Sequence, residues 1–301
     1  MNEQEVLFDA PGPRTKRLVA IGNVVAVLVL AGVAWLVVTA LAQQGQLTAQ
    51  KWQPFTTSDV WLYNILPGLR GTLVAAAISI VTSLAFGLVF GIGRLSQHRW
   101  GRAISTTVVE FFRSVPVLLM MVFFWEFLGP LHIVPGDQLP LVAVVLGLTL
   151  YNGSVVAELV RSGVHGLPRG QREAGLAVGL TESTTLRTIL LPQALVAMLP
   201  SLISQLVVIL KDSALGYIIS YFELLRQGRQ IGTTYQNLIP ALIVVGAIFI
   251  VLNYTLSRVA ETVAHRLRRR AAGGAPAPVP GPVPAAVAAP APTDRGPERT
   301  D

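Results

Sequence analysis

Six stretches of this chain are long, apolar and almost free of charge, and no other feature restricts the fold as strongly. The hydrocarbon core of a bilayer is about 30 Å thick, a distance that a helix covers in roughly 20 residues. Residues 18–42, 71–93, 138–157, 188–210 and 230–257 contain no Asp, Glu, Lys or Arg, and residues 114–131 contain only Glu126. Over all 301 residues only 13% are charged, against about 25% in an ordinary soluble domain. A chain of this kind cannot cover a soluble core with polar surface. The pattern predicts an all-α integral membrane protein with six spanning helices.

The basic residues orient those helices. Arg14, Lys16 and Arg17 precede the first stretch, and Arg94, Arg99, Arg102 and Arg113 lie between the second and third. Arg161, Arg169, Arg172 and Arg187 lie between the fourth and fifth, and seven arginines from Arg258 onward follow the sixth. These eighteen residues share one side of a six-helix chain, whereas Lys51, Arg70, Lys211, Arg226 and Arg229 fall on the other. The split predicts that both termini are cytoplasmic. An alternative makes residues 18–42 a signal peptide cleaved after Ala40-Leu41-Ala42. The apolar run is 25 residues long, however, whereas a signal core has about 7–15, which favours an uncleaved helix.

Several chemistries are excluded. There is no cysteine, so disulfides, thiolate metal sites and cysteine nucleophiles are absent. The four histidines, at 98, 132, 165 and 265, lack metal-ligand spacing. No glycine-rich phosphate loop of the G-x-x-x-x-G-K-[ST] type occurs. The chain is therefore expected to bind no metal or cofactor and not to be an enzyme. Its net charge of +7 resides between apolar spans and does not indicate nucleic acid. From Ala271 onward the chain holds eight of its twenty prolines. Repeated X-Pro steps oppose helix, so residues 268–301 are read as a disordered cytoplasmic tail. Residues 1–17 form the cytoplasmic N-terminal tail and 43–65 an external loop.

The segment 166–192 has more order than a simple connection needs. Pro168 suits the first turn of a short helix. Gly179 can take a left-handed conformation that stops it. Thr181 is a suitable N-cap for a second short helix running to Pro192. Two short helices joined at a bend make a rigid knob on the inner face. An ordinary interfacial amphipathic helix is the alternative on spacing alone.

Glu173-Ala174-Gly175, Gly179 and Ile189-Leu190-Leu191-Pro192 resemble the EAA loop of ABC-transporter permeases, with Gly175 in place of the usual second Ala. Four further segments resemble the polar amino-acid permeases of the histidine, glutamine, glutamate and arginine group. They are Phe112-Arg113-Ser114-Val115-Pro116, Gly68-Leu69-Arg70-Gly71-Thr72-Leu73, Ala157-Glu158-Leu159-Val160-Arg161-Ser162-Gly163 and Leu210-Lys211-Asp212-Ser213-Ala214-Leu215. The wording from Lys211 to Ile219 is most similar to glutamate-uptake permeases. The resemblance implies a type I ABC importer permease fold over residues 66–267, with five core transmembrane helices plus one extra N-terminal helix. It implies that Glu173, Ala174, Gly175, Gly179 and Pro192 belong to a coupling helix that docks on a separate ATPase subunit, where ATP and Mg bind. It further implies a second permease subunit, two ATPase subunits, an extracytoplasmic substrate-binding protein and a polar amino acid, with glutamate the leading candidate, as substrate, in a bacterial cell membrane.

Charges at membrane depth are costly and mark pathways by default. Glu126 lies within the third stretch, although Gly129-Pro130 soon after would fit a residue at the outer interface. Lys211 and Asp212 end the fifth, with Ser213 beside them. They are either a snorkelling, mutually neutralising pair or the outer end of a substrate path. Arg70, at the start of the second stretch, is the remaining candidate. Glu110/Arg113 and Glu158/Arg161 have i, i+3 spacing and read as structural ion pairs. Pro200 is a candidate helix kink.

Overall fold

The computed structural model describes residues 12–272; the remainder of the expected tails, 1–11 and 273–301, lies outside the described residues. Every regular element among them is helical. In order these are α1 (Pro13–Gln43), α2 (Ala49–Trp52), α3 (Ser58–Val60), α4 (Leu66–Arg94), α5 (Arg99–Ser114), α6 (Val117–Leu128), α7 (Leu139–His165), α8 (Arg169–Ala177), α9 (Glu182–Thr185), α10 (Leu191–Asp212), α11 (Leu224–Thr234) and α12 (Leu238–Ala272). Five continuous helical segments are long and apolar enough to cross a membrane: Pro13–Gln43, Ser58–Arg94, Leu139–His165, Glu182–Ile219 and Leu238–Arg266.

The expected third span is not one straight helix. Val115 is extended, with φ −86° and ψ 127°, as the residue before a proline favours. The chain turns there by 98° between α5 and α6. The apolar helix then ends at Leu128, just past Glu126. At 12 residues it reaches roughly 18 Å, less than a full crossing. The expected sixth span also needs correction. Residues from Gln230 belong to α11, and the spanning helix starts only at Leu238. Gln236 takes a positive φ of 49°. The Asn237 N–H then donates back to Gly232 O at 2.9 Å, which closes α11.

Two helices pass an early proline by widening. A π turn over Trp61–Ile65 precedes Pro67, and a second over Leu186–Leu190 precedes Pro192. Proline gives no N–H and its ring crowds the carbonyl four residues back. The wider turn relieves that clash, and both helices continue. Pro200 likewise lies inside α10 without breaking it. The expected second short helix of the knob is consequently the first turn of the span itself, since helix runs from Glu182 to Ile219.

The core is a seam between α4 and α7 made of small residues. Thr72, Ala75, Ala76, Ser79, Ser83, Gly87 and Gly91 are all buried on α4. Opposite them are Gly153, Val156, Ala157 and Val160 of α7. Between apolar helices in lipid, close backbone approach and hydrogen bonds take the place of hydrophobic driving force. The Thr82 and Thr149 hydroxyls lie 2.5 Å apart, and Ser83 Oγ donates to Leu148 O at 3.3 Å. Gln205 of α10 donates to Asn152 Oδ1 of α7 at 2.6 Å. By contrast α1 has no buried residue and is apolar on every side.

A Cβ built on Gly87 would stand 2.3 Å from Val156 Cγ1, and one on Gly71 would stand 2.0 Å from Phe222 O. Gly246 has open space. Overpacking costs about 1–3 kcal/mol, more than the roughly 1 kcal/mol of helix propensity that Ala adds over Gly. Gly87→Ala and Gly71→Ala should therefore lower the thermal midpoint of the purified protein, and Gly246→Ala should not.

Candidate coupling knob and polar path

Helix α8 begins after Pro168, which is extended at ψ 131° and occupies the N-cap one step before the expected first turn. The helix ends in a paired C-terminal motif. Leu180 N–H donates to Gly175 O at 3.1 Å, Gly179 N–H donates to Leu176 O at 3.0 Å, and Gly179 has φ +85°. This is the left-handed stop that the sequence predicts at Gly179. Thr181 Oγ1 then accepts from Thr184 N at 3.2 Å and caps the next helix.

The two arms of the knob are tied together. Arg172 forms an ion pair with Glu182, its Nε lying 3.0 Å from Oε2. Gln193 Nε2 donates to Gln171 Oε1 at 3.1 Å. Gly175 is buried, and a Cβ there would stand 2.7 Å from Thr185 Cγ2 and 2.9 Å from its Oγ1. The departure from the usual Ala is thus matched by a buried Thr185 opposite it. Glu173 and Ala174 are exposed beside Val178, which is 76% exposed. Pro192 is exposed too, at the base of α10 beyond the π turn. The knob therefore presents one carboxylate and small or apolar side chains outward on a braced frame. That surface can dock, but it has no groups for chemistry.

Five charges lie between α4, α5 and α7 on the same side as the knob. The Arg94 side chain is only 7% exposed; it reaches Glu110 Oε1 at 3.0 Å and Glu158 Oε2 at 2.8 Å. Arg113 pairs with Glu110 at 3.0 Å, and Arg161 with Glu158 at 2.6 Å. The two expected i, i+3 pairs are both present, and Arg94 joins them.

The remaining candidate residues are not gathered into one place. Lys211 is exposed and Asp212 is half-buried, and the two form no ion pair among the described residues. Ser213 is buried and donates to Leu210 O at 2.7 Å. Glu126 is exposed on α6. Arg70 is exposed in an apolar groove lined by Leu66, Leu69, Leu73, Val74 and Ala77.

Sequence reading missed Glu223. It is fully buried, and its carboxylate accepts from Leu225 N at 2.7 Å and Arg226 N at 2.5 Å, capping α11. Gln227, one turn on, is buried and meets Asn64 at 3.3 Å. Next to Glu223, Tyr221 donates its hydroxyl to Gly71 O at 2.8 Å. Glutamate is an uncommon N-cap, so no local pattern announces it. Burial raises its pKa to about 7, against the lowering effect of its two backbone donors and Arg226. Burial, and then the charge of Glu223, push the Tyr221 hydroxyl up to about 12.

A membrane-embedded helical bundle with a braced knob at one end and scattered polar groups toward the other is built as the membrane subunit of a transporter. The family model described as "binding-protein-dependent transport system inner membrane component" matches residues 83–269, and this chain belongs to that family. The glutamate transport system permease protein GluD of Corynebacterium glutamicum is 48% identical over 228 residues, covering 76% of this chain and 84% of that protein. The arginine transport system permease protein ArtQ of Bacillus subtilis is 29% identical over 204 residues, covering 68% and 92%. The crystal structure of an amino acid ABC transporter with histidines superposes with a TM-score of 0.61 at 25% identity, over 67% of this chain and 93% of that one. A bacterial alginate ABC transporter shares the fold at 11% identity, with TM-score 0.56 over 84% and 98%. The architecture is that of type I ABC importer permeases.

Two outcomes follow. Glu158→Gln leaves the buried Arg94 short of a counter-charge and should lower stability by about 3 kcal/mol. Glu110→Gln, at a site 44% exposed, should cost less; thermal melts of both variants compare them. Because the Glu223 pKa is raised on folding, its contribution is complete below about 4.5 and disappears as pH rises through about 7. The thermal midpoint of wild type relative to Glu223→Gln should therefore fall between pH 5 and pH 8.

Proposed function

We propose that this chain is the membrane permease subunit of an ATP-driven importer of polar amino acids, with glutamate the leading substrate. The carrying observation is the 48% identity to a glutamate permease across most of both chains. Other relatives are named for arginine and for glutamine, so a neighbouring amino acid is the second reading. The permease works with an ATPase and an external substrate-binding protein. It pairs with a second permease, identical or related, and two ATPase subunits bind ATP and Mg. ATP-driven closure of those subunits moves α8, and the bundle alternates its access.

Glu173, Ala174, Gly175, Gly179 and Pro192 form the docking element in this reading. Glu173→Lys keeps the helix and reverses the charge at the contact, which costs several kcal/mol in a close charge pair, or about two orders of magnitude in affinity. Gly179→Val forces a β-branched residue to positive φ. Both variants should insert normally and lose the ATPase on co-purification. Wild-type recovery and transport for both would remove α8 from the contact.

Lys211, Asp212, Ser213, Glu126 and Arg70 are the proposed polar groups of the path, at the end of the bundle away from the knob. Lys211→Ala should impair uptake and leave basal ATP hydrolysis intact. The eighteen-to-five distribution of basic residues supports cytoplasmic termini. In this cysteine-free chain, an impermeant thiol reagent on intact cells should label a cysteine at position 51 and spare positions 113 and 172. Reconstitution with the ATPase and binding protein, followed by hydrolysis assays across an amino-acid panel, identifies the substrate.

A further inference from the structure

Helix α5 has three faces; the fold uses one along its length, and of the Arg99–Arg102 face only the last turn, at Glu110 and Arg113. Val109 is fully buried and Ser105 nearly so, and a Cβ on Gly93 would stand 2.2 Å from Ser105 Oγ. On a second face Trp100, Ile104 and Phe111 are 83%, 60% and 60% exposed. On the third, Arg99 and Arg102 neighbour each other at i, i+3. With Trp100, Ala103, Thr106 and Thr107 they line an open cavity of about 650 Å³. Neither arginine has a carboxylate within ion-pair distance among the described residues. Arg102 makes one contact, to Ser96 O at 3.3 Å. Glu110, the acidic residue of α5, is engaged by Arg94 and Arg113.

The 98° bend fixes how this helix meets the bilayer. α6 is wholly apolar apart from Glu126; with α6 inserted in the hydrocarbon along the bilayer normal, the bend would lay α5 along the membrane surface. A helix with a basic face, an apolar face and tryptophan lies in the plane of the interface, with the indole at headgroup depth. Arginine stems extend along apolar surface and place the guanidinium in the headgroup layer, where it binds phosphate through two parallel N–H donors.

We propose that α5 lies flat in the leaflet on the knob side, and that Arg99 and Arg102 hold the headgroup of an anionic phospholipid whose acyl chains run along Trp100, Ile104 and Phe111. Two unpaired guanidinium groups leave surplus positive charge. That surplus selects a net-negative headgroup over a zwitterionic one, whose own cation offsets its phosphate.

The test uses the full chain in nanodiscs of mixed phosphatidylglycerol and phosphatidylcholine. Nitroxides on Ile104→Cys and Phe111→Cys should collide more with oxygen than with a water-soluble nickel chelate. The opposite order at both sites would put this face in water or under a protein, and the proposal would fall. Native mass spectrometry after partial delipidation should find phosphatidylglycerol retained over phosphatidylcholine. Arg99→Gln with Arg102→Gln should cut that preference roughly thirty-fold, and each single change about five-fold. Arg99→Lys with Arg102→Lys should keep part of it. Equal retention of the two lipids by wild type, or undiminished preference in the single and double glutamine variants, would refute the site. An unchanged thermal midpoint shows that each variant scored is folded.

Discussion

A bilayer core has no water with which to satisfy a backbone, and it gives apolar helices no reason to prefer one another over lipid. The seam between α4 and α7 meets both demands. Buried small residues recur along α4 from Thr72 to Gly91 and let the two backbones come within reach of hydrogen bonds such as that from Ser83 to Leu148 O. Phe86 and Val156 then fill the space that glycines leave on the facing helix. The positions of α5, α6 and α10 are set against this pair. Their own contacts, from Met121 over Gly147 to Met198 over Gly163, repeat the same large-on-small arrangement.

At the knob side the seam ends in charge rather than in apolar packing. Arg94 is buried where α4, α5 and α7 converge, and two carboxylates from different helices meet it. Removing a guanidinium from water is costly unless it is paired. The network therefore specifies which helices meet there more than it adds to stability. It also fixes the end of α5 relative to the seam, which is what allows the following proline to turn the chain at a defined place.

Much of this was legible in the sequence, because the strongest signals were local. Uncharged runs marked the spans, Gly179 marked the left-handed stop, Thr181 marked a cap, and the i, i+3 acid–base spacings marked the ion pairs. What escaped lay in backbone turns and in packing. Pro116 is followed by apolar residues just as a continuous span would be, and only the packing of Ser105 and Val109 against the bundle shows that the chain has turned. α11 was absorbed into the last span because Gln230 to Gln236 carry no charge, while the break depends on the backbone of Gln236. Glu223 caps its own helix, but glutamate is an uncommon N-cap and its burial comes from packing that no local pattern shows. Lys211 and Asp212 are adjacent in sequence, and sequence alone left open whether they pair; no ion pair joins them among the described residues.

The passage of helix through Pro192 has a mechanical consequence. Because the π turn lets the chain continue without a sharp break from Glu182 to Asp212, the base of the knob and the outer end of α10 belong to one strut of roughly 45 Å. A tilt of about 5° at its foot would sweep its far end through about 4 Å over that length. A loop joined by a flexible hinge would dissipate the same displacement in its own backbone. The Gln171–Gln193 hydrogen bond and the Arg172–Glu182 pair brace the foot of that strut, so in the proposed coupling a push on the face bearing Glu173 would travel along the helix toward Ser213.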